Sequence, residues 1–169
     1  MILLLQVRRQ DPIESHMKIE GAHVVFHRLL STSKCKPYFV RAVLLVKRTL
    51  DAPIHPGYWG LVGGMVNVGE HPKKAALREA REELGIGPRP IQNLCDVRID
   101  HGTSGASGVR YFSSALDRDM DKLTLRRNSK EDFVEGQGLG WFSAEEVHHL
   151  VLRPEDRIAI AAFFKKHGT

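Results

Sequence analysis

The stretch from Pro72 to Gly85 constrains this chain more than any other. Pro72 suits the first residue of a helix, where its missing N–H would have had no partner, and Gly85 can supply the left-handed residue just past the end. The spacing therefore predicts a helix over residues 72–84. On a helical wheel Glu79, Glu82 and Glu83 stand at i, i+3 and i+4 and share one face, while Leu77, Ala80 and Leu84 gather on the other. Carboxylates so close repel one another unless cations sit between them, and hard oxygen donors at this density suit Mg²⁺ or Mn²⁺. Arg78 lies i, i+4 to Glu82 and can orient or partly neutralise the cluster. Glu70, just ahead of the helix, is a second partner for that arginine.

Around this helix the chain reads mainly as strands. Gly21 to Leu30 contains His23-Val24-Val25-Phe26, and Tyr38 to Lys47 contains Phe39-Val40 and Val43 to Val46, both β-prone. Between them, Ser31 to Pro37 suits a surface connection. Tyr58 to Val62 is expected as a strand that ends in a flexible turn at Gly63-Gly64. Beyond the helix, Ile91 to Ile99 and Val109 to Leu116 read as strands around the glycine-rich connection His101 to Gly108, with further strands at Leu123 to Leu125 and Leu139 to Phe142. Ser143 to Glu146 has the spacing of a capping box and starts a helix, and Arg153-Pro154 opens another that ends near His167. The pattern is α+β.

With 169 residues, 42% of them hydrophobic and 27% charged, the chain is sized for one domain with one sizeable core. Ser15-His16-Met17 resembles a vector junction, so residues 1–16 are set apart as an N-terminal segment and residues 17–169 taken as the domain. The run Met1 to Leu5 is too short for a membrane span and unlike a secretory signal. Cys35 and Cys95 stand far apart without metal-ligand spacing, which fits buried thiols in a reducing cytoplasm. A net charge of +5 favours anionic partners. The basic residues are scattered in pairs such as Lys73-Lys74 and Arg126-Arg127, a pattern that suits phosphorylated small molecules better than nucleic acid.

A bare Arg-Glu-x-x-Glu-Glu string is more often solvated surface than site. Here, however, the pattern from Gly64 through Glu70 and Arg78-Glu79-Ala80-Arg81-Glu82-Glu83 to Gly85-Ile86 resembles, position by position, the box of the Nudix hydrolases. Ala80 is smaller than the family's usual aliphatic residue. The flanks agree: Val43 to Arg48 resembles the strand ahead of the box, and Trp59 to Gly64 resembles the family's Trp-x-x-Pro-Gly-Gly entry, with Val62 in place of proline. The resemblance implies a mixed sheet sandwiched by helices, an α/β/α arrangement. It also implies metal-dependent cleavage of a nucleoside diphosphate linked to another moiety: a nucleoside triphosphate, ADP-ribose, a dinucleoside polyphosphate or a nucleotide sugar. Dimers are common among relatives. A domain of this family that only senses a nucleotide is the alternative; its usual mark is a damaged box, and this box is intact.

On that resemblance Glu79 and Glu83 are the principal metal ligands. Glu82 is a further ligand or the residue that orients or deprotonates water. Gly63 is expected to offer its backbone carbonyl, with Gly64, Glu70 and Arg78 in support. Many relatives add a carboxylate from a later loop; Glu135, in the acidic segment Glu131 to Gly136, is the choice here, against an equal expectation of solvated loop charge. Trp59 and Trp141 could stack a base, although core or sheet packing is the commoner fate of a lone tryptophan. The nine histidines, the adjacent His148 and His149 included, read as surface or packing residues.

Overall fold

A computed structural model describes residues 17–31, 39–87, 89–102, 105–116 and 138–168. Seven strands form one mixed sheet: β1 (Ile19–Ser31), β2 (Phe39–Lys47), β3 (Trp59–Gly60), β4 (Val62–Met65), β5 (Gln92–Asp100), β6 (Ala106–Ala115) and β7 (Gly138–Ser143). Three helices accompany it: α1 (Pro72–Leu84), α2 (Ala144–His148) and α3 (Pro154–His167). β1 is central and pairs parallel with β6; the other ladders are antiparallel.

β1 and β2 pair at one end, from His27↔Val43 to Ser31↔Phe39, and then part. The segment 59–65 fills the gap: β3 pairs with β2 through Val46↔Gly60, and β4 pairs with β1 through Val24↔Val62. Gly63 and Gly64 were expected as a turn; they are strand instead, opposite His23 and Ala22. The turn comes later, at residues 66–71, so the chain enters α1 from a fixed strand. The hairpin after β5 is likewise tighter than the sequence suggested, because Ala106 already pairs with Asp100.

Layers on both faces explain why β1 is buried without alternation from Gly21 to Phe26. Ala22, Val24 and Phe26 point towards Ala75, Ala76, Ala80 and Leu84 of α1. Val25 points the other way, into a second cluster with Tyr111 of β6 and Ile160 and Phe163 of α3. The apolar stripe expected on α1 is thus present, and the small Ala80 lets the helix lie close to the sheet. Gly85, at φ 66°, ends α1, and its N–H and that of Ile86 return to the Arg81 and Ala80 carbonyls. At the other end the cap is His71, whose Nδ1 accepts from the Lys73 N–H at 3.2 Å. The capping box at Ser143 forms as expected, the Ser143 N–H donating to Glu146 Oε2 at 2.7 Å. The Leu123 to Leu125 strand falls outside the described residues, as do residues 1–16.

Candidate active site

The site lies where β4 meets α1. Gly63 has φ 148°, a conformation L side chains rarely adopt, and a Cβ there would run into the Ala22 carbonyl and the His23 Cα. Gly64 has a different reason to lack a side chain: a Cβ would lie 2.5 Å from Glu79 Oε1 and 2.6 Å from its Cδ. The Glu79 carboxylate therefore rests directly on the backbone of β4, only 14% exposed.

Arg78 ties this region together. Its Nε and Nη2 donate to the two oxygens of Glu70 at 3.1 and 3.0 Å, a bidentate grip. Nη1 donates to Glu79 Oε1 at 2.6 Å and to Glu82 Oε2 at 3.2 Å, and Nη2 reaches the Met65 carbonyl at 3.0 Å. Glu70 Oε2 also accepts from the Asn67 N–H at 3.1 Å, which closes the turn between β4 and α1. The hydrogen bonds from Arg78 hold the Glu70 carboxyl below its ordinary range, with the Asn67 amide adding to them. In return, the bond to Glu70 holds the Arg78 guanidinium protonated more firmly than usual.

Both partners expected for Arg78 are found, and Glu79 is a third. Glu82 is the outermost of the box carboxylates at 59% exposed, and Glu83 is half-buried on the same helix face. Among the described residues no three acidic, His or Cys side chains close around a single point. The arrangement is a face of oxygen donors braced by arginine. Its chemistry fits a hard divalent cation: the donors are carboxylates and the backbone of Gly63-Gly64, and Gly64 leaves the open space over which Glu79 lies.

A NUDIX domain model matches residues 37–163. The chain belongs to the Nudix hydrolase family. It is 50% identical over 125 residues to the nucleoside triphosphatase NudI of Escherichia coli O81 (strain ED1a), a match covering 69% of this chain and 83% of that protein. It is also similar to the ADP-ribose pyrophosphatase of Mycobacterium tuberculosis, 31% identical over 113 residues, covering 65% of this chain and 52% of the relative. In fold it resembles the NUDIX domain of Shewanella oneidensis NrtR solved with ADP ribose, with a TM-score of 0.64, 19% identity and 93% of each chain covered. The pyrophosphohydrolase class and the mixed sheet between helices, both implied by residues 63–86, stand.

Elsewhere in this Nudix domain the two tryptophans pack. Trp59 meets Phe142 edge to face at 4.8 Å in the α3-side cluster, with Lys47 Nζ 5.9 Å from its ring centroid. Trp141 packs on the α1-side cluster, with Arg28 5.3 Å from its ring centroid. Glu135 and its acidic segment lie outside the described residues.

Sequence reasoning missed a second group of polar residues, behind the site on the α3 face. Asp156, fully buried, accepts from the Leu61 N–H at 2.9 Å and the Tyr111 hydroxyl at 2.8 Å, with Arg153 Nε 3.5 Å away. Arg153 also grips Glu155 through Nε and Nη2 at 2.9 and 2.7 Å. Burial opposes the Arg153 charge, and the Asp156 and Glu155 carboxylates outweigh it. His23 stacks on Tyr111 at 5.4 Å, and burial keeps it neutral, well below the usual imidazole range. No spacing rule signals this set. Glu155 and Asp156 lie in the first turn of α3, where any helix favours acids.

Proposed function

We propose that this protein hydrolyses a phosphoanhydride bond of a nucleoside triphosphate with Mg²⁺ or Mn²⁺, and that Glu79, Glu83, Glu82 and the Gly63 carbonyl hold the cation. The observation that carries the reading is the Glu79 carboxylate laid on the side-chain-free backbone of Gly64 while Arg78 Nη1 donates to its Oε1. Triphosphates are favoured over ADP-ribose because the triphosphatase relative is 50% identical along most of its length, whereas the ADP-ribose relative is 31% identical along half. The reduced Cys95, whose thiol is pushed up to about 12 by burial and then by the Asp96 charge, suits a cytoplasmic setting.

The chemistry that Mg²⁺ or Mn²⁺ supplies when bound is positive charge against phosphate oxygens and a more acidic water. The protein's own part is largely positioning. Arg78 keeps Glu79 and Glu82 from drifting apart, and Glu70 keeps Arg78 pointed along the helix face. With half-buried Glu83 one turn beyond Glu79, the donors are preorganised before substrate arrives. In this reading Glu82, the most exposed of the three, accepts a proton from a water on the solvent side.

A hydrolysis screen of nucleoside triphosphates, ADP-ribose, dinucleoside polyphosphates and nucleotide sugars with Mg²⁺ or Mn²⁺, run beside Glu83→Gln, tests this. Triphosphates should turn over fastest, and the variant should lose roughly a hundredfold or more in kcat while still folded. Equal turnover by wild type and variant, or no release of phosphate or pyrophosphate from any substrate, would overturn it.

A further inference from the structure

We propose that Asp156 is a positioning residue for the site. Acting from α3, on the opposite face of the sheet, its carboxylate fixes the Leu61 amide and so sets Gly63 and Gly64 against Glu79. The inference rests on the metal-dependent reading above and extends it to residues outside the Nudix box.

The strand segment 59–65 changes partner part-way along. Trp59 and Gly60 pair with β2, whereas Val62 to Met65 pair with β1. Leu61 lies at the changeover and belongs to neither ladder, yet it is buried. A buried N–H without a partner is costly, and Asp156 Oδ2 meets this one at 2.9 Å. The same short stretch is held at two further points. The Arg153 N–H donates to the Trp59 carbonyl at 3.0 Å, and the Trp59 N–H donates to Val151 at 2.8 Å. α3 and its lead-in thus clamp residues 59–61 from behind. Gly60 makes the approach feasible, because a Cβ there would lie 2.9 Å from both Asp156 Oδ2 and Arg153 Cδ.

A fully buried carboxylate is expensive unless its acceptor capacity is filled, and here Leu61, Tyr111 and Arg153 fill it. The carboxylate is therefore rigid, and so is the amide it holds. Gly63 and Gly64 follow two and three residues later along extended chain, roughly 7–10 Å away. A displacement at Leu61 moves the backbone on which Glu79 rests, and site geometry tolerates little: about 1 Å of misplacement can cost on the order of a hundredfold in rate.

The test compares Asp156→Ala, Asp156→Asn and Gly60→Ala with wild type and Glu83→Gln. Mn²⁺ affinity is read by electron paramagnetic resonance well below each melting temperature, and kcat and KM at saturating Mn²⁺. Asp156→Ala should weaken Mn²⁺ binding and lower kcat by roughly tenfold each. Asp156→Asn, which keeps an acceptor for the Leu61 N–H, should recover most of both. Gly60→Ala keeps the Asp156 side chain but displaces its carboxylate from the Leu61 N–H, and should reproduce the alanine defect even if Asp156→Ala does not fold. Lowered melting temperatures with unchanged Mn²⁺ affinity and kcat would make Asp156 merely structural and overturn the proposal. An asparagine variant as impaired as alanine would overturn the acceptor role. Should Glu83→Gln itself bind Mn²⁺ like wild type, the metal reading is what has failed, and this inference falls with it.

Discussion

The two faces of the sheet handle charge in opposite ways. On the α1 face Arg78 serves Glu70, Glu79 and Glu82 at once, and the exposure of these carboxylates rises from 14% at Glu79 and 17% at Glu70 to 59% at Glu82. On the α3 face Asp156 is sealed from solvent, with its acceptor capacity taken up by Leu61, Tyr111 and Arg153. The difference separates use from support. On the proposed reading, charges that meet a substrate share one guanidinium and reach solvent at Glu82, whereas a charge that only holds backbone can be buried once it is paired and hydrogen-bonded.

The largest effects should show that separation directly. Glu79→Gln is expected to lower metal-dependent turnover by roughly a hundredfold or more while the melting temperature stays in place, because a partly wet site is lost and no core contact is. Asp156→Ala should do the reverse in emphasis. It strands a buried amide, a buried hydroxyl and part of the Arg153 charge, for about 3 kcal/mol of stability, or a fall of roughly 10 °C in melting temperature. Calorimetry and initial rates on both variants check the contrast. A Glu79→Gln protein that melts as early as Asp156→Ala would break it.

How much of this was legible in the sequence follows the same division. The α1 site is local: Pro72, Arg78, the three glutamates and Gly85 lie within fourteen residues, and helical periodicity alone gathers the three glutamates on one face. The partners of Arg78 were readable for the same reason, Glu82 by its i, i+4 spacing and Glu70 by its place just ahead of the helix. Gly63 and Gly64 were misjudged as a turn because glycine signals flexibility in sequence, and only the Ala22 and His23 backbone alongside shows that the need is for close approach. The Asp156 cluster joins residues 45 to 130 positions apart, Asp156 to Tyr111 and Leu61 and Arg153 to His23, and no periodicity spans such distances. His71 was invisible as a cap because histidine is not among the usual capping residues.

A smaller effect sharpens the account of the α1 face. Glu70→Gln should keep the fold and lower kcat by roughly tenfold, since Arg78 loses its bidentate partner but retains Glu79 and Glu82. The wild-type pair also predicts a pH dependence. Glu70 is held below its ordinary range, so its contribution is complete above the usual carboxylate pKa and disappears as pH falls through the lowered folded value. Rate profiles of wild type and Glu70→Gln should therefore converge in acid; profiles that stay parallel would remove Glu70 from its bracing role.

The smallest effect expected belongs to the α3 face, at His27. This side chain lies against Phe163 at 4.9 Å and His167 at 5.9 Å, half-buried, and burial followed by the Arg41 charge lowers its pKa to about 4. Because the folded value lies below that of the unfolded chain, near 6.5, unfolding takes up a proton throughout the window between them. His27 thus adds no penalty above pH 6.5, costs stability progressively from there to about pH 4, and adds nothing more below. His27→Gln should flatten the melting temperature against pH in that window by a few degrees, on the order of 3 °C after allowance for solvent at the half-exposed ring. His23, buried more deeply and also neutral, will still titrate on unfolding and keep some of the slope. A slope unchanged by His27→Gln would place the acid sensitivity of this face at His23, the Arg153 cluster and His167, whose own pKa burial also lowers, which makes the variant a direct measure of how much of that sensitivity comes from His27.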